Sequence, residues 1–238
     1  MAIALDSQTT ATLLNTSEPL TWTHTPSATP DLIVVAIGSC SAAINPVHSS
    51  ITYGASSLTK YKSGNFSLDA DTLTTELLEL WYCVSPGSGA KTVTVNYGTH
   101  TTYGAVGACF AFTGVNTADP MDIATAPAGF YNSGIGLLPS GVAATSMLLS
   151  VALIEKVDGN PTATHVAGED VERVNLEGGT LAATNRIQLV ASTVAPGYTA
   201  GLAAWNLSVE AGWMGTTLGI KAAPAPTYGG HPQLMFGR

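Results

Sequence analysis

Lys91-Thr92-Val93-Thr94-Val95-Asn96-Tyr97 alternates without a break, with Val93, Val95 and Tyr97 on one face and Thr92, Thr94 and Asn96 on the other. A period of two with one apolar row is the pattern of a β-strand that has one buried and one wet face. Ser85-Pro86-Gly87-Ser88-Gly89 ahead of it reads as a turn, Pro fixing φ and Gly supplying the positive φ. On both sides the same grammar recurs every 8–15 residues. It marks further strands at 20–25, 31–38, 50–53, 58–62, 76–84, 105–113, 145–155, 180–193, 201–211 and 214–221. Many short strands with regular turn signals predict an all-β sandwich or barrel. The patch at 71–80 fits helical and strand spacing about equally, and a strand from Glu76 is the reading adopted.

The apolar runs Leu32-Ile33-Val34-Val35-Ala36-Ile37 and Met147-Leu148-Leu149-Ser150-Val151-Ala152-Leu153-Ile154 read as buried strands. Both fall short of the roughly 20 residues that a membrane-crossing helix needs. Met1-Ala2-Ile3-Ala4-Leu5-Asp6 holds neither a basic region nor an apolar h-region, so no secretory signal is expected there.

Composition narrows the function. Only 10% of the 238 residues are charged, against about 25% in ordinary soluble domains. Thr and Ser, about a fifth of the chain, stand in their place, with 25 Gly and 13 Pro. Apolar content of 45% argues against disorder, and scarce Glu, Lys and Arg argue against a helical bundle. A net charge of −8 leaves no cationic footprint for nucleic acid.

Motifs for chemistry are sparse. Cys40, Cys83 and Cys109 are widely spaced with no C-x-x-C, and strand-like contexts make them apolar fillers. The five histidines, His24, His48, His100, His165 and His231, form no metal-ligand spacing. His24 alternates with Trp22 and should share its face as a structural histidine. Gly38-Ser39-Cys40-Ser41 is a loose neighbour of the G-x-S-x-G nucleophile turn, but no helix follows through 42–46. Glycoside hydrolysis needs paired carboxylates; Glu76 and Glu79 should point to opposite faces of a strand, and Glu169-Asp170-Val171-Glu172 lies in loop-like sequence. No catalytic residue, cofactor site or metal site is therefore expected. Trp22, Trp81, Trp205 and Trp213 could form a sugar platform, but core packing is the expectation, given the area a ring buries. The sequons at Asn15, Asn65 and Asn206 are expected by chance in so Thr/Ser-rich a chain.

Three stretches stand apart. Residues 116–141 dissolve into Pro, Gly and Ala, and read as a long loop or an excursion onto a neighbouring subunit. Residues 158–179 hold Asp158, Glu169, Asp170, Glu172 and Glu177, and read as a solvated loop or edge. Residues 222–238, with Ala-Pro repeats and a Leu234-Met235-Phe236 tip, read as an extended arm. Its Tyr228, Leu234, Met235 and Phe236 are the expected docking residues. The chain is accordingly divided into one β-sandwich domain, 1–221, and an arm, 222–238.

Several blocks occur in order: Leu20-Thr21-Trp22-Thr23-His24-Thr25, Asp31-Leu32-Ile33-Val34-Val35-Ala36, Ile51-Thr52-Tyr53-Gly54-Ala55 with Leu58-Thr59, Glu79-Leu80-Trp81-Tyr82-Cys83-Val84-Ser85-Pro86, and Phe112-Thr113-Gly114-Val115 before Pro120. Together they resemble a jelly-roll, lectin-like β-sandwich module of bacteriophage virion proteins and bacterial surface proteins. The resemblance is best over 20–120; Cys83, where the family carries an aliphatic residue, and the arm depart from it. It implies an antiparallel two-sheet, concanavalin-like jelly roll. It also implies a non-enzymatic particle protein, a capsid decoration (cement) protein on the virion exterior. The expected partners are further copies of the chain, as a homo-oligomer and most simply a homotrimer, and the major capsid protein or other virion proteins. Glycans are the partner in the alternative, a carbohydrate- or receptor-binding module of a phage tail or bacterial surface. Neither nucleic acid nor membrane is an expected partner.

Overall fold

The computed structural model describes residues 2–16, 19–41, 47–66, 75–98, 102–124, 128–137, 141–155, 161–179, 186–198 and 203–225. Sixteen strands lie within them. The first eight are β1 (Ala4–Thr16), β2 (Leu20–His24), β3 (Leu32–Ser41), β4 (Ser50–Tyr53), β5 (Ser56–Ser57), β6 (Thr59–Phe66), β7 (Thr75–Val84) and β8 (Lys91–Asn96). The second eight are β9 (Thr102–Thr113), β10 (Met121–Ala124), β11 (Ala128–Leu137), β12 (Met147–Glu155), β13 (Ala163–His165), β14 (Asp170–Gly179), β15 (Arg186–Val194) and β16 (Ala203–Ile220). All named pairings are antiparallel. The all-β, sandwich-like expectation therefore holds.

The layering goes beyond two sheets. A central sheet, ordered β1-β9-β3-β7-β6, lies between a small sheet, β2-β8-β4-β5, and a large one, β10-β16-β12-β15-β14, to which β11 and β13 add through β16. The reason is visible in β3, where all ten residues are buried. Leu32, Val34 and Ala36 join Leu80, Phe110 and Phe112 against Leu149, Val151, Leu153 and Met214 of the large sheet. Ile33, Val35 and Ile37 join Trp81, Cys109 and Ala111 against Leu20, Ile51, Tyr53, Val93 and Val95 of the small one. A strand apolar at every position must be covered on both faces. Gly107 lets the small sheet approach closely, since a Cβ there would stand 2.8 Å from the Trp22 ring.

The large sheet also folds back on itself. β16 turns at the exposed Ser208, Val209 and Glu210, and its register with β11 jumps from Asn132↔Ala211 to Gly134↔Asn206. Its first part, with β13 and the end of β11, thus covers the outer side of β12 and β15. A third apolar cluster fills this space, including Ile135, Leu137, Ala152, Ile154, Val190, Trp205 and Trp213.

Several expectations change. Residues 116–141 supply β10 and β11, which pair with β16 of the same chain, so the excursion is part of the sheet. The strands expected at 201–211 and 214–221 are one bent strand. The strand expected at 180–193 is described from Arg186 onward, and β1, which the sequence did not mark, pairs along the whole of β9. The 158–179 stretch yields β14, an edge strand, in keeping with the edge reading.

Candidate functional site

A dense polar constellation sits where the core between the central and small sheets ends. Ser39 continues the row of Ile33, Val35 and Ile37 on β3, and Glu79 shares the face of Trp81 on β7. His48 leads into β4. Glu79 Oε1 accepts hydrogen bonds from Lys60 Nζ at 2.5 Å and Ser63 Oγ at 3.1 Å. Its Oε2 accepts from His48 Nδ1 at 2.7 Å and Trp81 Nε1 at 2.8 Å. His48 Nε2 lies 3.1 Å from Ser39 Oγ, and the imidazole packs against the Tyr97 ring at 5.5 Å. With Nδ1 donating to the carboxylate, Nε2 and the Ser39 hydroxyl form the next link of the chain. Burial pushes the Glu79 carboxyl up, but the hydrogen bonds and charge of His48, with Lys60 and Trp81, outweigh it and hold the group at about 2.

Ser39, His48 and Glu79 have the order of contacts of a serine hydrolase triad. Their setting differs from one in two respects. Ser39 and Glu79 have no exposed surface and His48 only 2%, so the hydroxyl has no route to a substrate within the described residues. Ser39 also lies within the central strand β3, opposite Leu77 on one side and Ala105 on the other. Among the described residues, the backbone N–H groups beside Ser39 serve the two ladders and not a developing oxyanion. The arrangement holds a buried carboxylate by four donors and thereby ties β4, β6 and β7 to β3.

A second polar cluster lies on the outer side of the large sheet. Asp170 and Glu172, expected in a loop, stand on β14 two residues apart and therefore on one face. Asp170 Oδ2 lies 2.8 Å from His165 Nε2. Glu172 Oε1 accepts from Trp205 Nε1 and from Asn175 Nδ2, each at 3.2 Å. Glu76 and Glu79 do fall on opposite faces: Glu79 lies toward the small sheet, while Glu76 acts on Cys40 on the other side. Among the described residues no group of three His, Cys, Asp or Glu is arranged to hold a metal ion.

The other residues marked by sequence are placed as follows. His24 is buried beside the Trp22 row, with Nδ1 2.9 Å from Thr9 Oγ1 and Nε2 3.3 Å from Ser7 Oγ, while Trp22 Nε1 donates to the same Thr9 oxygen. Burial lowers its pKa and the Asp6 charge partly offsets this. Cys40 and Cys109 are buried thiols outside any disulfide; burial raises both, Cys40 to about 12 with the Glu76 and Glu155 charges adding to the effect. Cys83 is partly exposed. Trp81, Trp205 and Trp213 are buried and Trp22 is partly buried, so the tryptophans do not form a platform. Tyr131 is the exposed large aromatic among the described residues, at 61%.

Of the arm, residues 222–225 are described. Ala222 bridges Val115 and Ala223 N donates to Gly114 O, so the segment begins tied to the domain. Tyr228, Leu234, Met235 and Phe236 lie outside the described residues.

The outer face of the small sheet was not singled out in the sequence beyond its one wet strand. Thr21, Thr94, Thr52 and Ser57 stand opposite one another across all four strands, with Thr23 opposite Thr92 and Ser50 opposite Asn96. Every one of these is uncharged. Comparison with known proteins finds no match among family models, curated proteins or solved structures.

Proposed function

We propose that this chain is a non-enzymatic structural protein of a bacteriophage particle, a capsid decoration (cement) protein. It works on the virion exterior as a homo-oligomer, most simply a homotrimer, against the major capsid protein. The jelly-roll identity of the sandwich belongs to the same proposal, and so does docking of the arm through Tyr228, Leu234, Met235 and Phe236.

The observation that carries it is the uncharged outer face of the small sheet, in a chain where only 10% of residues are charged. Rows of Thr, Ser and Asn offer hydroxyls, an amide and methyls, and they can be covered by a partner without desolvating a charge. The enclosure of Ser39, His48 and Glu79 supports a mechanical role over a hydrolytic one. In this reading the sandwich supplies a rigid, neutral block and the arm links neighbouring subunits.

Removal of residues 226–238 tests it. The cut leaves the Val115↔Ala222 bridge and the Ala223 hydrogen bond in place, so the truncated chain should keep its fold and melting temperature. It should lose occupancy on purified particles. Full occupancy by the truncated chain would overturn the role given to the arm.

A further inference from the structure

We propose that Asp170, Glu172 and Ser192 bind one divalent cation of the calcium class on the outer side of β14 and β15. The starting point is an imbalance of partners. Asp170 is 6% exposed, and its Oδ1 is a buried atom with no hydrogen-bond partner, although Oδ2 is engaged by His165. Ser192 has no exposed surface, and its Oγ likewise has no partner. A buried carboxylate oxygen left bare is costly, and buried charge is ordinarily paired or bound to a metal.

The register sets these side chains on one face of neighbouring strands. Asp170 faces Val194 and Glu172 faces Ser192, with the bulge of β14 only beyond Glu172. Side chains directly opposite in an antiparallel pair have Cβ atoms about 4.5–5.5 Å apart, and diagonal neighbours are about 7–8 Å apart. Ser192 shares the face of Val190, which packs with Trp205 in the outer apolar cluster, so all three oxygen-bearing side chains point to the same side. Trp205 Nε1 and Asn175 Nδ2 hold Glu172 by Oε1. Two carboxylates and a hydroxyl are hard oxygen donors. Such a set suits calcium, which accepts irregular geometry completed by water and carbonyl oxygens, better than zinc, which prefers nitrogen and sulfur.

Terbium, a luminescent stand-in for calcium, gives the test, because the Trp205 indole hydrogen-bonded to Glu172 lies where it can sensitise a bound ion. Full-length chelator-treated protein, excited in the tryptophan band, should show saturable terbium emission that calcium displaces. Ser192→Ala removes a hydroxyl with no protein partner, so the metal-free variant should melt no lower than the parent. Terbium affinity should nevertheless fall by about tenfold or more in Ser192→Ala and in Asp170→Asn. Asp119→Asn, at the exposed pair with Lys221, should leave the titration unchanged. Absence of sensitised emission at millimolar terbium, as expected if only water fills the space, would overturn the proposal. So would an affinity unchanged in both Ser192→Ala and Asp170→Asn.

Discussion

The two faces of the central sheet are made by the same strands and are stabilised differently. Toward the large sheet, Leu32, Val34, Leu80, Phe110 and Phe112 meet Leu149, Val151, Leu153 and Met214 in an apolar contact. Toward the small sheet, the apolar rows of β3 and β7 end in Ser39 and Glu79, and the layer is closed by a carboxylate with four donors. The first face rests mainly on area and fit in that apolar contact. The second adds directional bonds to an ionised group, which fix where β4, β6 and β7 sit but make that end sensitive to acid.

Glu79→Ala should break the comparison most sharply. It strands His48, Lys60 and the Trp81 N–H around a cavity, and should cost about 3–5 kcal/mol at neutral pH in chemical denaturation. The sign with pH follows from a folded-state value of about 2 against 4.5 for an unperturbed glutamate. The Glu79 contribution is complete above about pH 4.5 and is lost as pH falls from there toward 2. The gap between parent and variant should therefore narrow over that window. His24 acts in the same direction, its lowered value removing stability as pH falls below 6.5.

Gly107→Val should come next, at about 1–3 kcal/mol, because the new side chain collides with the Trp22 ring between the central and small sheets. On the apolar face Leu153→Val should cost about 1 kcal/mol, by analogy with other single-methylene deletions, and the loss should be the same at pH 4 and pH 7. A Leu153→Val loss that varied with pH as Glu79→Ala does would erase the distinction between the faces. The smallest effect is chemical: the buried Cys40 and Cys109 should resist a thiol reagent in the native state, with only Cys83 reacting, and that slowly.

Strands with a strong pattern were legible. The 50–53 segment is β4 as read, and 76–84 and 145–155 match β7 and β12 within two residues at each end. β1 was not legible because Asp6-Ser7-Gln8-Thr9-Thr10 is polar at successive positions. Its strand conformation comes from pairing with β9, a tertiary effect. β10 and β11 were hidden by Pro, Gly and Ala, which are depleted in strands; their strand conformation comes from pairing with the long β16. The third layer could have been foreseen from Leu32–Ile37, since a run apolar on both parities calls for cover on both sides. The Ser39, His48 and Glu79 constellation could not, because nothing local in their neighbourhoods shows that the β3–β7 register and the approach to β4 bring them together. Asp170 and Glu172 did have the right alternation for one face of a strand; surrounding charge and Gly168 concealed it.

Sedimentation of the full-length protein, with and without purified particles, tests the central claim most directly. The proposed role as a capsid decoration protein requires a stable homotrimer that co-sediments with the particle and is seen on its outer surface by electron microscopy. A protein that stays monomeric at all concentrations and never associates with a particle would contradict it.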